Sequence, residues 1–490
     1  MNKSIFTFLF ATLLTVSSFA QHDFRFHVNG IADTTVYLAN YYGGKMYYND
    51  TTRVDANGFI EFKGTETKPG GIYAVVFPDN KTYFEVVVNE PVIEMTTTFT
   101  NPIKNMKVNV SEENKAFYSY MKFVTETQTD LRKLSEDKQA AKSDKEKEKI
   151  DAEIVQLRTD ADAFKQKYLA DNKELFAAKV LSTSDEIKVP EFKDENGKVD
   201  EKKRYEYYHN HYLDNVDLSD DRLLRTPVLN QKISTYIEKL TPQIPDSICS
   251  AVNYLTSKTS DTSLIFKYII QYATNTYEKS DIMGMDAVFV CIAENYYSKG
   301  KAYWLEDDKV KDIVEMYEVR KNLIVGVKAA NIILMDLDSN WQSMYDIKSK
   351  YTVVVFWSPT CGHCKTEIPK LHDFYLEWKD KGVSVYSVGT VFDNEKWPEF
   401  IKEHNLTWIN VSDNPEINKN AYKYIREGKT TLSSLNFRDT WDVFSTPQYY
   451  LLDENKVIIA KKIGSEQLPD FIEKYEAKQK AKKEAKSKTN

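Results

Sequence analysis

The sequence predicts three kinds of structure in succession: an all-β, sandwich-like N-terminal domain, a helical middle region and a C-terminal α/β fold. Short alternating apolar runs, split by turn residues, fill residues 21–110. Apolar residues three, four or seven apart then take over across 111–323. From 324 to 475 strand-like and helix-like runs alternate. At 490 residues the chain has room for more than one core. Its 42% hydrophobic and 28% charged residues are ordinary for globular proteins. A formal net charge of -7 gives no electrostatic reason to expect nucleic acid as a partner.

Ahead of these lies a segment, residues 1–20, that reads as a cleaved secretory signal. Lys3 supplies the positive charge, "IFTFLFATLLTV" is apolar but too short to span a bilayer, and "SSFA" offers small residues before a cut between Ala20 and Gln21. An uncleaved anchor is the alternative. No cysteine follows the cut to carry a lipid, and no later apolar run reaches spanning length. The mature chain is therefore expected to be exported, periplasmic and without stable membrane insertion. Export matters because thiols then meet an oxidising compartment. Of four cysteines, Cys249 and Cys291 lie among apolar neighbours, and the sequence leaves open whether they pair. Four are too few to staple a chain of this length, so the fold must rest on cores.

In the β region, "VYLAN", "FIEFKG", "IYAVVF" and "YFEVVVN" are separated by "YYGGK", "DANG", "KPGG" and "FPDN", which suits a small sandwich acting as a structural module. Helical spacing then links Phe117, Met121, Val124, Leu131 and Leu134, and a second series runs from Ile150 to Tyr168. Ser143 and Glu146 have capping-box spacing between them, so a helical hairpin is expected, with one long helix as the alternative. His209 and His211 invite a metal reading, but residues two apart on a helix face different ways, so a surface position is expected. The lysine-rich residues 476–490 lack apolar spacing and are expected to fray.

The chemistry concentrates at "FWSPTCGHCK". "YTVVVFW" reads as a strand buried on both faces, and the residues after Cys361 as a helix ended by Gly382. "VSVYSVG" and "LTWINV" supply further strands, with a helix between them, which implies parallel pairing. Cys361 would then stand at a helix N-terminus, where free N–H groups and the dipole favour a thiolate. A protonated His363 would add positive charge. Cys364, one turn on, could attack Cys361 to resolve a mixed disulfide. Glu367 lies on the same helical face and could accept the Cys364 proton. Pro369 falls inside the helix, and Pro447 precedes a strand of an antiparallel hairpin, where a cis Thr446–Pro447 bond is plausible. Lys365 occupies the position that covalent haem attachment needs for histidine, and no second C-x-x-C exists to complete a zinc site. Cu(I) binding by two thiolates stays open.

"VVVFWSPTCGHCKTEIP" resembles the active-site segment of TlpA/ResA-like thioredoxin-fold proteins of the bacterial envelope, and the resemblance extends over about Ile324 to Tyr475. It implies a thioredoxin-like fold and a thiol–disulfide oxidoreductase. Cys361 would be the nucleophile, Cys364 the resolving thiol, Glu367 the acid–base partner and Pro447 a cis proline facing them. Trp357, His363 and Thr446 would contact substrate. No cofactor is implied beyond a redox-active Cys361–Cys364 disulfide. The implied partners are protein thiols or disulfides and an envelope electron donor or acceptor. The β segment resembles a domain of unknown function fused ahead of such modules, and the helical middle resembles, more loosely, the linkers of that architecture. There are departures. Val355 stands where thioredoxin has a buried aspartate, which shifts proton handling onto Glu367. "KAANIILMDL" lacks the proline usual in the first strand. Gly362–His363 is the pair of protein disulfide isomerases, so a potential above thioredoxin's roughly -270 mV is expected and the direction of electron flow stays open. A peroxidase would need a proline at Val354. The rival from another class is a copper-handling protein or a scaffold with an idle thioredoxin fold.

Overall fold

The computed structural model describes residues 21–79, 81–390 and 395–489; the segment read as a secretory signal lies outside them. The chain divides into two units, one of residues up to Thr241 with Lys258–Ile265, the other of Pro242–Ser257 with Phe266 onward. The division thus falls inside the helical segment 111–323 rather than at its ends. Composition does not change at that point, because helices on both sides carry similar apolar faces.

In the first unit, alternation gives strands β1 (His22–Asn29), β2 (Thr35–Tyr42), β3 (Lys45–Arg53), β4 (Phe59–Gly64), β5 (Gly71–Val76), β6 (Tyr83–Val88), β7 (Val92–Thr98) and β8 (Lys107–Val110). They form two sheets, ordered β4-β1-β7-β8 and β3-β2-β5-β6. Phe24, Phe26, Phe62 and Ile93 of one meet Leu38, Val75 and Phe84 of the other in a single apolar core, which makes the expected sandwich. The "DANG" turn needs its glycine: Gly58 has φ 86°, and a Cβ there would stand 2.5 Å from the Val28 carbonyl oxygen.

Helices Glu112–Ala140 and Asp144–Asp171 follow as a hairpin, not as one long helix. Ser143 caps the second. Its Oγ accepts from the Glu146 N–H at 3.3 Å, and the Glu146 carboxylate accepts from the Ser143 N–H at 3.2 Å. Phe123 and Phe164 stack across the pair with centroids 3.8 Å apart. The ring of His209 stacks on Tyr236, and His211 Nδ1 lies 2.7 Å from the Asp214 carboxylate.

The second unit is built on a mixed sheet of β9 (Ile333–Met335), β10 (Trp341–Ser343), β11 (Tyr351–Trp357), β12 (Val383–Gly389), β13 (Ile409–Ser412), β14 (Gln448–Asp453) and β15 (Ile458–Lys461). The order is β10-β9-β13-β12-β11-β14-β15. β12 runs parallel to β11 and β13 parallel to β12, whereas β14 is antiparallel to β11 and pairs with β15 as a hairpin. Every residue of β11 is buried. Val353, Val355 and Trp357 face a core shared with the helix Gly362–Trp378, while Val354 and Phe356 face one closed by Phe437 and Trp441. Pro369 lies within that helix, and Gly382 ends the element at φ 91°.

Two features differ from expectation, and one point left open by the sequence is decided. The strand read in "LTWINV" begins only at Ile409, because the Asn410 amide donates to the Leu406 and Trp408 carbonyls and holds those residues in a turn. Residues 476–490 do not fray at their start: the helix Leu468–Thr489 runs through them, seeded by buried Leu468 and Ile472 and extended by alanine and lysine, both good helix formers. Cys249 and Cys291, on the helices Pro245–Ser257 and Asp286–Ile292, are joined by a disulfide with Cα atoms 6.3 Å apart.

Candidate functional site

β11 ends at Trp357, and Ser358, Pro359 and Thr360 turn the chain into the helix Gly362–Trp378. The turn is closed by the Cys361 N–H donating to the Ser358 carbonyl at 3.2 Å. Cys361 is the N-cap residue, so its side chain sits over the unpaired N–H groups of the first turn. Cys361 is half-buried and Cys364 fully buried, and both are free thiols.

The two sulfurs occupy opposite environments. The main-chain N–H of Cys364 foremost, then the Thr446 and Cys364 side chains and the His363 N–H, hold the Cys361 thiol below the usual range against the opposing effect of partial burial. Burial pushes the Cys364 thiol up to about 11. The Ser358 N–H points at Cys364 Sγ from 3.5 Å. The contribution of His363 to Cys361 is thus a backbone one; its ring is exposed and lines the cleft described below.

The cis bond Thr446–Pro447 faces this pair. Cys361 Sγ donates to the Thr446 carbonyl at 3.3 Å, across 85 residues of sequence. Glu367, half-buried, receives Lys370 at 3.1 Å and the Ser465 hydroxyl at 3.0 Å. Trp357 departs from the substrate-contacting position expected of it. It is fully buried, its indole donates to Ser387 Oγ at 2.6 Å, and its ring packs on Phe400, so it supports the site from beneath.

A cleft of about 580 Å³ opens beside the dithiol, lined by His363, Glu367, Phe444 and Pro447. Phe444, the third residue before the cis proline, is 85% exposed. The other wall comes from the helical segment, through Glu278, Asp286 and Arg320. Arg320 bridges Asp442 at 2.9 Å and Glu278 at 3.5 Å, and Asp286 pairs with Lys461 at 2.5 Å. Sequence reading did not find this wall, since its residues lie 41 to 83 positions before Cys361 with no spacing that links them to it. Among the described residues no cluster of histidine, cysteine or acids is arranged to hold a metal ion, and no helix is long and apolar enough to cross a membrane.

A dithiol at the head of a helix, opposite a cis proline on a mixed sheet, defines a thioredoxin-fold thiol–disulfide oxidoreductase. Residues 325–461 match the model of the AhpC/TSA family, and over this stretch the chain has a thioredoxin fold and is similar to the ResA thiol–disulfide oxidoreductases. The thiol–disulfide oxidoreductase ResA of Bacillus cereus is 23% identical over 158 residues, covering 32% of this chain and 80% of the relative. ResA of Oceanobacillus iheyensis is 31% identical over 88 residues, or 18% of this chain and 46% of the relative. Among solved structures, a domain of a possible thiol-disulfide isomerase from Cytophaga hutchinsonii is 37% identical, covering 32% of this chain and 97% of that one, with a TM-score of 0.27. Residues 137–322 match a domain of unknown function, DUF5106. That match lies on the helical middle, whereas the sequence reading set such a domain on the β segment.

Proposed function

We propose that the chain is an exported, periplasmic enzyme that exchanges disulfides with protein substrates through Cys361 and Cys364. The observation that carries this reading is the contrast between the two sulfurs: one half-exposed with its thiolate favoured, the other buried with its proton held. A thiolate at Cys361 attacks a substrate disulfide and forms a mixed disulfide. Cys364 then attacks Cys361 Sγ, and Glu367 takes the proton that Cys364 must lose. The bound chain would lie along Thr446 and Pro447 with an apolar side chain against Phe444 and the exposed face of His363. The redox group is the Cys361–Cys364 disulfide itself, recharged by an envelope donor or acceptor.

Reduction of insulin and refolding of scrambled ribonuclease test the proposal. Wild type is expected to turn over in at least one assay and Cys361→Ser in neither; equal rates for both proteins would end it. A copper-handling role would instead show as tight Cu(I) binding abolished by the same substitution.

A further inference from the structure

The disulfide between Cys249 and Cys291 takes no part in the chemistry above, yet its surroundings are not those of an inert staple. It joins the helices Pro245–Ser257 and Asp286–Ile292 of the second unit, and both cysteines are only half-buried. Each sulfur has a side-chain amide aimed at it from four residues further along the chain. The Asn253 amide donates to Cys249 Sγ at 3.7 Å, and the Asn295 amide to Cys291 Sγ at 3.3 Å. Asn295 lies in a π turn, Ala293–Tyr297, and such turns interrupt helices frequently at functional sites. Both amides are themselves polarised. The Tyr296 hydroxyl donates to Asn253 Oδ1 at 2.7 Å, and the Lys299 ammonium to Asn295 Oδ1 at 3.3 Å. An ammonium has only N–H to give, so the Asn295 oxygen turns to Lys299 and its NH2 group to the sulfur.

A bonded sulfur is a weak acceptor, whereas a thiolate accepts charge-assisted bonds roughly twice as strong as neutral ones. Donors held against a disulfide therefore favour its opened form over its closed one. The two ends are unequal, since Cys291 has the shorter contact and a cation behind it. In thiol–disulfide exchange the better-stabilised thiolate leaves faster. We propose that Cys249–Cys291 is a second thiol–disulfide exchange site, which an external dithiol opens by attack at Cys249 with Cys291 as the leaving thiolate. This goes beyond the exchange at Cys361 and does not rest on it. The donor's thiolate bonds to Cys249 Sγ, the bond to Cys291 breaks, and Cys291 keeps that electron pair beneath the Asn295 amide. The donor's second thiol gives its proton to solvent and attacks its own bonded sulfur, and Cys249 leaves as a thiolate. The donor is oxidised by two electrons and the Cys249–Cys291 bond reduced by two. The helix that carries Cys291 starts at Asp286, which pairs with Lys461 in the cleft wall, so one short helix joins this second site to the wall of the first.

The native, oxidised full chain is mixed with glutathione near neutral pH, quenched with N-ethylmaleimide and mapped by mass spectrometry. Glutathione is expected on Cys249 and maleimide on Cys291; the reverse arrangement overturns the assignment. With dithiothreitol as the dithiol, the same mapping follows opening of the native bond. Asn295→Leu keeps the size of the side chain without its donor and should open more slowly, on the order of ten-fold. Lys299→Met, at an exposed position that folding does not depend on, should also slow opening, and Lys299→Arg should restore it. A merely structural role predicts the opposite, since a loosened helix exposes the bond and speeds its reduction. Opening of either slow variant at the wild-type rate or faster, or a wild type that opens only after denaturation, overturns the proposal. Mapping reads Cys361 and Cys364 separately, so a failure of the exchange reading there leaves this result standing.

Discussion

Two sulfurs three residues apart differ because one sits at the mouth of a helix and the other behind its first turn. Amide donors lower the Cys361 thiol, and burial raises Cys364 to about 11. In the reduced protein, iodoacetamide between pH 6 and 9 is therefore expected to label Cys361 and not Cys364, with a midpoint below the free-thiol value of about 8.5. Peptide mapping checks this, and equal labelling of Cys364 would contradict it. The same shifts fix the sign of a stability effect. The folded chain ionises Cys361 before the unfolded chain does, so reduced-state stability rises with pH from the folded pKa of Cys361 up to about 8.5. Above that, the unfolded chain ionises its second thiol while the folded chain keeps the Cys364 proton to about 11, and stability falls again. Glu367→Gln removes the proton acceptor but no part of the attacking thiolate. Cys361 alkylation should be unchanged, and release from the mixed disulfide should slow by roughly a hundred-fold. Unchanged release in a stopped-flow trace would move the proton elsewhere.

At the scale of elements, legibility followed the length and regularity of the pattern. "YTVVVFW" is a strand over its full extent because seven β-rich apolar residues buried on both faces leave no other choice. The Ser143–Glu146 spacing divided the helical hairpin at the right residue because capping is a local interaction. β9 was reached only through the family resemblance; β10, three residues long, and the short helices between Pro415 and Thr440 were not legible, since none completes enough periods to register. Those helices nonetheless deliver Phe437 and Trp441 to the core under Phe356, so tertiary packing and not propensity defines them. Of the site, the dithiol and Glu367 were readable from spacing, and the proline opposite them only through the family resemblance. Phe444 and the Arg320 wall were not, because long-range packing brings them there. The Ser143 cap also carries a local prediction. Ser143→Ala should destabilise its helix by about 1 kcal/mol. In thermal melts of the intact protein the first unit should loosen while disulfide exchange persists; lost exchange would mean that the hairpin shapes the site.

For the molecule as a whole, the decisive feature is that one chain holds one pair of cysteines closed and another open. Cys249 and Cys291 are bonded across a sequence separation of 42, while Cys361 and Cys364 are free. Closing a loop of that size restricts the unfolded chain by about 4 kcal/mol on a chain-entropy account. Such a bond persists where thiols are kept oxidised and is not expected to persist against a reducing cytosol. The proposed export therefore has a chemical consequence that can be separated from the dithiol. Protein recovered from the periplasm and alkylated under non-reducing, denaturing conditions should show Cys249 and Cys291 blocked. Protein made in a reducing cytosol should show both labelled. A Cys249→Ser, Cys291→Ser double variant should unfold at lower denaturant, losing up to about 4 kcal/mol, yet keep the alkylation profile of Cys361. The bond ties two helices, one of which carries Asp286 of the cleft wall, so protein substrates should feel its loss more than a small disulfide does. An equal effect on insulin and on a small aromatic disulfide would mean that the wall takes no part in holding the substrate chain. The helical segment would then serve only to stabilise the redox domain.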